Sequence, residues 1–250
     1  MAKVALVTGA ASGIGGATAR LLAERGYHVV AGDLSLERVS AAMAGLATTL
    51  AVALDVRSRQ DAERAVAMAE QRFGGLDAVA HVAGVEVDRP VDVLAEEEWD
   101  WVVDTNLKGT YVVCAAAIPA LRRRGGGAIV TTGSILGRAA LPGVTAYGAS
   151  KAGVEALTRA MALDYAREGI RVNCVLPGST DTPLMWAAVP PDRLDEVQRQ
   201  AADEVPLGRV AAPVDIARVI AFLLSDDAGF VTGTALAADG GQLAQAAVSL

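Results

Sequence analysis

Seven strand-length runs of small and β-branched apolar residues alternate along this chain with longer stretches of helical period. The strands are expected near 3–8, 28–33, 50–54, 76–82, 127–133, 170–176 and 234–238, and the helices near 13–25, 35–45, 58–73, 96–124, 145–168 and 213–225. Runs that are apolar on both faces, and separated by helices, belong to a parallel sheet covered on both sides. Right-handed crossovers then give an α/β architecture: a doubly wound, seven-stranded parallel sheet flanked by helices on both faces. Ser58-x-x-Asp61 reads as a capping box, after which Ala62, Val66, Ala69 and Phe73 line one helix face. No linker, repeat or low-complexity tract divides the sequence, so residues 1–250 are expected to form one domain.

Composition excludes several classes of function. The chain is 52% hydrophobic, 20% charged and 4% aromatic, the balance of a core built from Ala, Val and Leu. No apolar run approaches the ~18–20 residues of a membrane span. Met1-Ala2-Lys3 leads straight into a strand without a signal-peptide layout, which predicts a cytoplasmic protein. A net charge of −7 argues against a nucleic-acid or anionic-membrane surface. The one basic cluster, Arg122-Arg123-Arg124, precedes Gly125 and reads as the dipole-complementing last turn of a helix. Cys114 and Cys174, without a Cys-x-x-Cys or a His cluster, read as buried reduced thiols, and neither a disulfide nor a metal site is expected.

One segment, about 178–212, breaks the rhythm. It holds Pro183, Pro190, Pro191 and Pro206 and a charged stretch from Asp192 to Glu204, and it is expected to be a substrate lid.

The first strand runs into Thr8-Gly9-Ala10-Ala11-Ser12-Gly13-Ile14-Gly15 and then a helix. Glycines there permit a tight turn and close backbone approach to a pyrophosphate, and the helix N-terminus offers free N–H groups. The spacing is Gly-x-x-x-Gly-x-Gly rather than the usual dinucleotide fingerprint. Asp33 ends the second strand 18 residues after Gly15, near the offset at which a carboxylate meets the adenosine ribose hydroxyls. It would repel a 2′-phosphate and so select NAD, with no Lys or Arg in the loop or directly after it to reverse the charge. Asp55-Val56, at the end of the third strand, would flank the adenine.

Tyr147 and Lys151 stand four apart, hence on one face of a helix. A free tyrosine titrates near pH ~10, and a fixed cation beside it lowers that value, which would make a general acid/base. The same spacing also suits an aromatic–aliphatic surface contact.

With Thr8-Gly9-x-x-x-Gly13-x-Gly15 and Tyr147-x-x-x-Lys151 in the same chain, the sequence resembles the short-chain dehydrogenase/reductase family over essentially its whole length. The resemblance implies a Rossmann-type fold and adds Ser134, 13 residues before Tyr147, and Asn106 as catalytic partners. Asn173, Pro177-Gly178 and Asp239-Gly240-Gly241 also match family landmarks. By this resemblance Tyr147 exchanges the proton on the substrate oxygen, Lys151 holds the nicotinamide ribose, Ser134 hydrogen-bonds the substrate oxygen, and Asn106 supports a water path to Lys151. Hydride passes between the carbinol carbon and the nicotinamide. The cofactor-binding set becomes Gly9, Ser12, Gly13, Ile14, Gly15, Asp33, Asp55, Val56, Ala83, Gly84, Tyr147, Lys151, Pro177, Gly178 and Thr182. One departure is His81-Val82-Ala83-Gly84, where the family has Asn-Asn-Ala-Gly; His81 is expected to replace a lost bond between strands.

The resulting expectation is an NAD-dependent oxidoreductase acting on a secondary alcohol or ketone, with a small-molecule substrate and a homotetrameric assembly. An NADP-dependent 3-oxoacyl thioester reductase and a non-catalytic dinucleotide-binding scaffold are the alternatives. Arg138 and Glu86 are the only charges expected near a largely apolar substrate pocket.

Overall fold

The computed structural model describes residues 2–245. Its strands are β1 (Val4–Thr8), β2 (His28–Asp33), β3 (Thr49–Ala53), β4 (Ala78–His81), β5 (Gly127–Thr132), β6 (Ile170–Pro177) and β7 (Ala235–Ala238). They form one parallel sheet in the order β3-β2-β1-β4-β5-β6-β7. The order reverses between β1 and β4, which opens a crevice at the carboxyl ends of these neighbours.

The two-residue period of β1 sorts its side chains. Val4 and Leu6 enter one core layer, and Ala5 and Val7 enter the other. The first layer is closed by α3 (Arg59–Phe73), α5 (Gly109–Arg124) and α6 (Thr145–Tyr165); the second by α1 (Gly13–Glu24), α2 (Leu36–Ala42) and α9 (Pro213–Leu224). Both faces are dry, as the apolar character of the strands requires. Leu6, Ile129, Leu176 and Ile220 are fully buried, and each such side chain contributes about 1.5–3 kcal/mol.

Three sequence expectations are corrected. The helix expected across 96–124 is two: α4 (Glu96–Val103) and α5, joined by a π turn, Asp104–Lys108. In that turn the Gly109 N–H donates to the Asp104 carbonyl five residues back. A hydrophobic pattern carries no record of one extra residue in a turn. The capping box at Ser58 is half formed. Ser58 Oγ accepts the Asp61 N–H at 3.2 Å, but the Asp61 carboxylate turns to the Asp55 N–H, also at 3.2 Å, and so ties α3 to the loop after β3. The segment 178–212 is not wholly irregular: it contains α7 (Pro183–Trp186) and the ten-residue α8 (Leu194–Asp203), into which the charged stretch folds.

The arginine cluster behaves as expected of a helix end. Gly125 closes α5 in the left-handed region, and Arg122, Arg123 and Arg124 pair with Glu168, Glu70 and Asp77. Among the described residues, no helix is long and apolar enough to cross a membrane.

Candidate active site

The glycine turn between β1 and α1 is packed so tightly that side chains are excluded. Gly9 has φ +68°, and a Cβ on it would stand 3.0 Å from the backbone of Ala83. A Cβ on Gly15 would run into the carbonyl oxygen of Gly9. Ser12 precedes α1 without capping it by its side chain, so the first N–H groups of the helix stay open to an anion. A cavity of about 260 Å³ extends from Gly9 and Ser12–Gly15 over Asp33, Asp55, Val56, Ala83 and Gly84 to Thr182. A backbone cradle, an open helix N-terminus and a carboxylate at the far end fit a dinucleotide.

The Asp33 carboxylate also accepts the Ala11 N–H at 3.1 Å, so this residue at the end of β2 braces the glycine turn. Asp55 is occupied by Arg57, which donates to both carboxylate oxygens at 2.8–3.2 Å. That hydrogen bond holds the Asp55 carboxyl below its usual range. Pro177 and Gly178 line the larger cavity described next and not this one, and Thr182 borders both. Gln242 fixes this corner: its side-chain oxygen accepts the Ser179 N–H at 2.8 Å and its amide donates to Ser179 Oγ at 3.1 Å.

The second cavity, of about 760 Å³, brings Ser134, Tyr147 and Lys151 together. Tyr147 and Lys151 come from the first two turns of α6, and Ser134 from the turn after β5. The Lys151 ammonium lies 5.5 Å from the centre of the Tyr147 ring and donates to the Thr132 carbonyl at 2.9 Å. Asn106, in the π turn, is buried behind them. Its oxygen accepts the Val85 N–H at 2.8 Å, and its amide donates to the Val85 carbonyl at 2.9 Å and to Ser150 Oγ at 3.0 Å. Ser150 in turn donates to the Tyr147 carbonyl at 2.7 Å. A Cβ on Gly84 would lie 3.3 Å from both Asn106 Oδ1 and Lys151 Nζ, so the cofactor cradle abuts this cluster directly.

The electrostatics correct one expectation. Burial raises the Tyr147 phenol above its usual pKa; Glu86 adds to the rise and a hydrogen bond with Ser134 opposes it. Lys151 is not among the groups that lower it, and burial pushes the ammonium itself down to about 8.

His81 takes the bonding role expected of it. Thr8 Oγ1 accepts the N–H groups of Val82 and Ala83 at 3.0 and 3.1 Å, so its own proton points to His81 Nδ1 at 3.1 Å. This assigns the neutral tautomer with hydrogen on Nε2. Burial, and then Lys151, keep the ring neutral by pushing its pKa down to about 3. Nε2 is buried without a partner among the described residues. Arg138 does not line this cavity and pairs at 2.7 Å with Glu155, whose side chain is 5% exposed. Glu86 does line the cavity.

A family model described as enoyl-(acyl carrier protein) reductase matches residues 9–242. The cis-4-hydroxycyclohexanecarboxylate dehydrogenase of Sinomonas cyclohexanicum is 43% identical, covering 97% of each chain. The chain belongs to the short-chain dehydrogenase/reductase family.

Among other members, the 3-oxoacyl-(acyl-carrier-protein) reductase of Thermotoga maritima is 38% identical over 96% of this chain and 97% of its own. The crystal structure of levodione reductase superposes with a TM-score of 0.92 at 34% identity, covering 98% of both chains. Like these relatives, this short-chain dehydrogenase/reductase is an oxidoreductase. Sequence reading missed Leu34 and Arg57 in the cofactor cavity, and Thr132, Ser150 and Gln242 as partners of named residues. Leu34 carried a usable signal, an apolar residue in a turn immediately after Asp33; it is 70% exposed. Thr132, Ser150 and Gln242 act through contacts 19, 44 and 63 residues away in the chain, which no local pattern encodes.

Proposed function

We propose that this protein is an NAD-dependent dehydrogenase of cyclic secondary alcohols, also able to run as a ketone reductase, working in the cytoplasm. The observation that carries the reading is the convergence of Ser134, Tyr147 and Lys151 on one cavity wall next to the glycine cradle. Tyr147 is the general acid/base for the substrate oxygen, and Ser134 holds that oxygen and stabilises its developing charge. Lys151 binds the nicotinamide ribose, and Asn106 positions the helix and loop that carry these groups. A nicotinamide dinucleotide held by these residues would supply hydride chemistry in either direction. Gly9, Ser12, Gly13, Ile14 and Gly15 cradle the pyrophosphate; Asp55 and Val56 flank the adenine; Ala83, Gly84, Pro177, Gly178 and Thr182 border the nicotinamide end.

Preference for NAD rests on Asp33, whose carboxylate faces the ribose position. Arg57, a cation in the same cavity, turns its Nε and Nη2 to Asp55. The Thermotoga relative favours the alternative of a 3-oxoacyl reductase; the Sinomonas relative, a ring-alcohol dehydrogenase by name, favours the reading adopted. We further propose a single functional unit over 1–250, with a lid spanning about 178–212 whose Leu184, Met185 and Ala188 face the substrate cavity. Exposed Trp99, Trp101 and Tyr111 on α4 and α5 support a homotetramer built on that side. Sedimentation as a 25.5 kDa species at working concentration would remove the assembly claim. The activity test is NADH formation from cyclohexanol, measured beside NADP. Binding of NAD without turnover across a panel of alcohols would establish the scaffold reading instead.

A further inference from the structure

The lining of the larger cavity mixes apolar and charged side chains. Ile135, Leu136, Leu141, Leu184 and Met185 supply apolar surface, and Glu86 lies near enough to the acid/base pair to act on the charge of both Tyr147 and Lys151. Glu86 follows β4 by five residues, and its backbone neighbour Val85 is clamped on both polar groups by the buried Asn106 amide. The carboxyl is therefore mounted on a fixed stretch of chain. No hydrogen bond contributes to its charge state among the described residues. A half-buried carboxyl that lines a cavity without a hydrogen-bond partner among the described residues is available to a ligand there.

We propose that Glu86 determines specificity, its carboxyl hydrogen-bonding a second hydroxyl of a neutral cyclic alcohol while the cavity turns carboxylate-bearing substrates away.

This rests on the dehydrogenase reading above. The charges around the cavity favour it. Glu86, Asp88, Glu98 and Glu204 line the same space, against Arg89 and Lys151. Arg89 folds back onto the Asp88 carbonyl at 2.9 Å, and Lys151 is held by the Thr132 carbonyl. Arg138, the cation that would have welcomed a carboxylate, is held by Glu155 outside the cavity. An anionic group would thus enter a space in which four carboxyl groups face two cations, and like charges across a desolvated site are strongly unfavourable. A hydroxyl has no such difficulty. Burial, reinforced by Asp88 and opposed by Lys151, pushes the Glu86 carboxyl up to about 7. Near neutral pH it can accept from a hydroxyl when ionised or donate to one when protonated. The apolar surface of the cavity takes the ring carbons.

The experiment compares kcat/KM for cyclohexanol, the cyclohexane-1,2-, -1,3- and -1,4-diols, and a hydroxycyclohexanecarboxylate, in the wild type, Glu86→Gln and Glu86→Leu. The wild type should favour at least one diol over cyclohexanol by about tenfold, mainly through KM, and should disfavour the carboxylate by about tenfold or more. Glu86→Leu should abolish the diol advantage, whereas Glu86→Gln, which keeps hydrogen-bonding capacity, should retain part of it. Glu86→Gln and Glu86→Leu should both narrow the gap between cyclohexanol and the carboxylate. Oxidation of cyclohexanol that requires Tyr147 but shows no diol preference, or a preference that survives Glu86→Leu, overturns the assignment of Glu86 and leaves the dehydrogenase reading intact. Absence of any Tyr147-dependent oxidation across the panel overturns both.

Discussion

The Lys151 ammonium sits 5.5 Å from the centre of the Tyr147 ring, donating its proton at 2.9 Å to the Thr132 carbonyl at the end of β5. The α6 helix thus presents a phenol to the substrate cavity and a cation behind it, both buried and both short of solvation. Two opposite pressures follow, with burial raising the pKa of the phenol and lowering that of the ammonium.

Removing the phenolic hydroxyl should remove the proton exchange and little else. Tyr147→Phe is expected to lower kcat for alcohol oxidation by roughly 10²–10⁴. NAD should still raise the thermal midpoint of the variant, because the glycine cradle is untouched. Unchanged turnover would end the acid/base assignment.

Cofactor choice should follow the charge on Asp33 rather than its shape. Asp33→Asn keeps an acceptor for the Ala11 N–H and removes the charge. The ratio of kcat/KM with NAD to that with NADP should fall by about tenfold or more. A ratio that does not move would place selectivity elsewhere in the cavity, with Arg57 the first residue to examine.

Lys151 should leave a signature in stability. Its pKa is lowered from 10.5 to about 8. Between those values the unfolded chain carries the proton and the folded chain does not, so stability from this group rises with pH across that window; the burden is full below pH 8. The stability of Lys151→Met relative to wild type should therefore fall between about pH 7 and about pH 9.5 in denaturant titrations. A relative stability independent of pH would contradict the buried ammonium.

His81 makes the same kind of prediction on the acid side. Its pKa is pushed from 6.5 to about 3, so below pH 6.5 the unfolded chain binds a proton that the folded chain refuses, and stability is lost progressively toward pH 3. An Asn side chain can still accept the Thr8 hydroxyl proton and does not titrate. His81→Asn should lose about 1–2 kcal/mol less stability than wild type between about pH 7 and about pH 5. Equal losses in urea titrations would refute it.

Much of this molecule was legible in the sequence because its sheet is buried on both sides, which writes every strand as an apolar run. The doubly wound architecture followed from the handedness of crossovers, and Gly9, Gly13 and Gly15 followed from backbone sterics. What stayed hidden was tertiary. The π turn at Asn106 adds no residue type that a helix would refuse. The pairing of Arg138 with Glu155 joins residues whose local context gives no hint of each other. The balance between desolvation and charge at Tyr147 depends on depth of burial, a property of the folded chain alone.

The Asn106 amide reaches three pieces of chain at once: the loop after β4 through Val85, its own π turn, and α6 through Ser150. It makes a single mechanical part of the loop after β4, the π turn and the helix that carries Tyr147 and Lys151. The residues about 182–204, which form much of the opposite wall of the substrate cavity, hang outside that part. Such a division allows the wall to be recut for a different alcohol while the phenol stays aimed at the same point. Exchange of this segment between relatives would alter that wall without touching the Asn106 bonds.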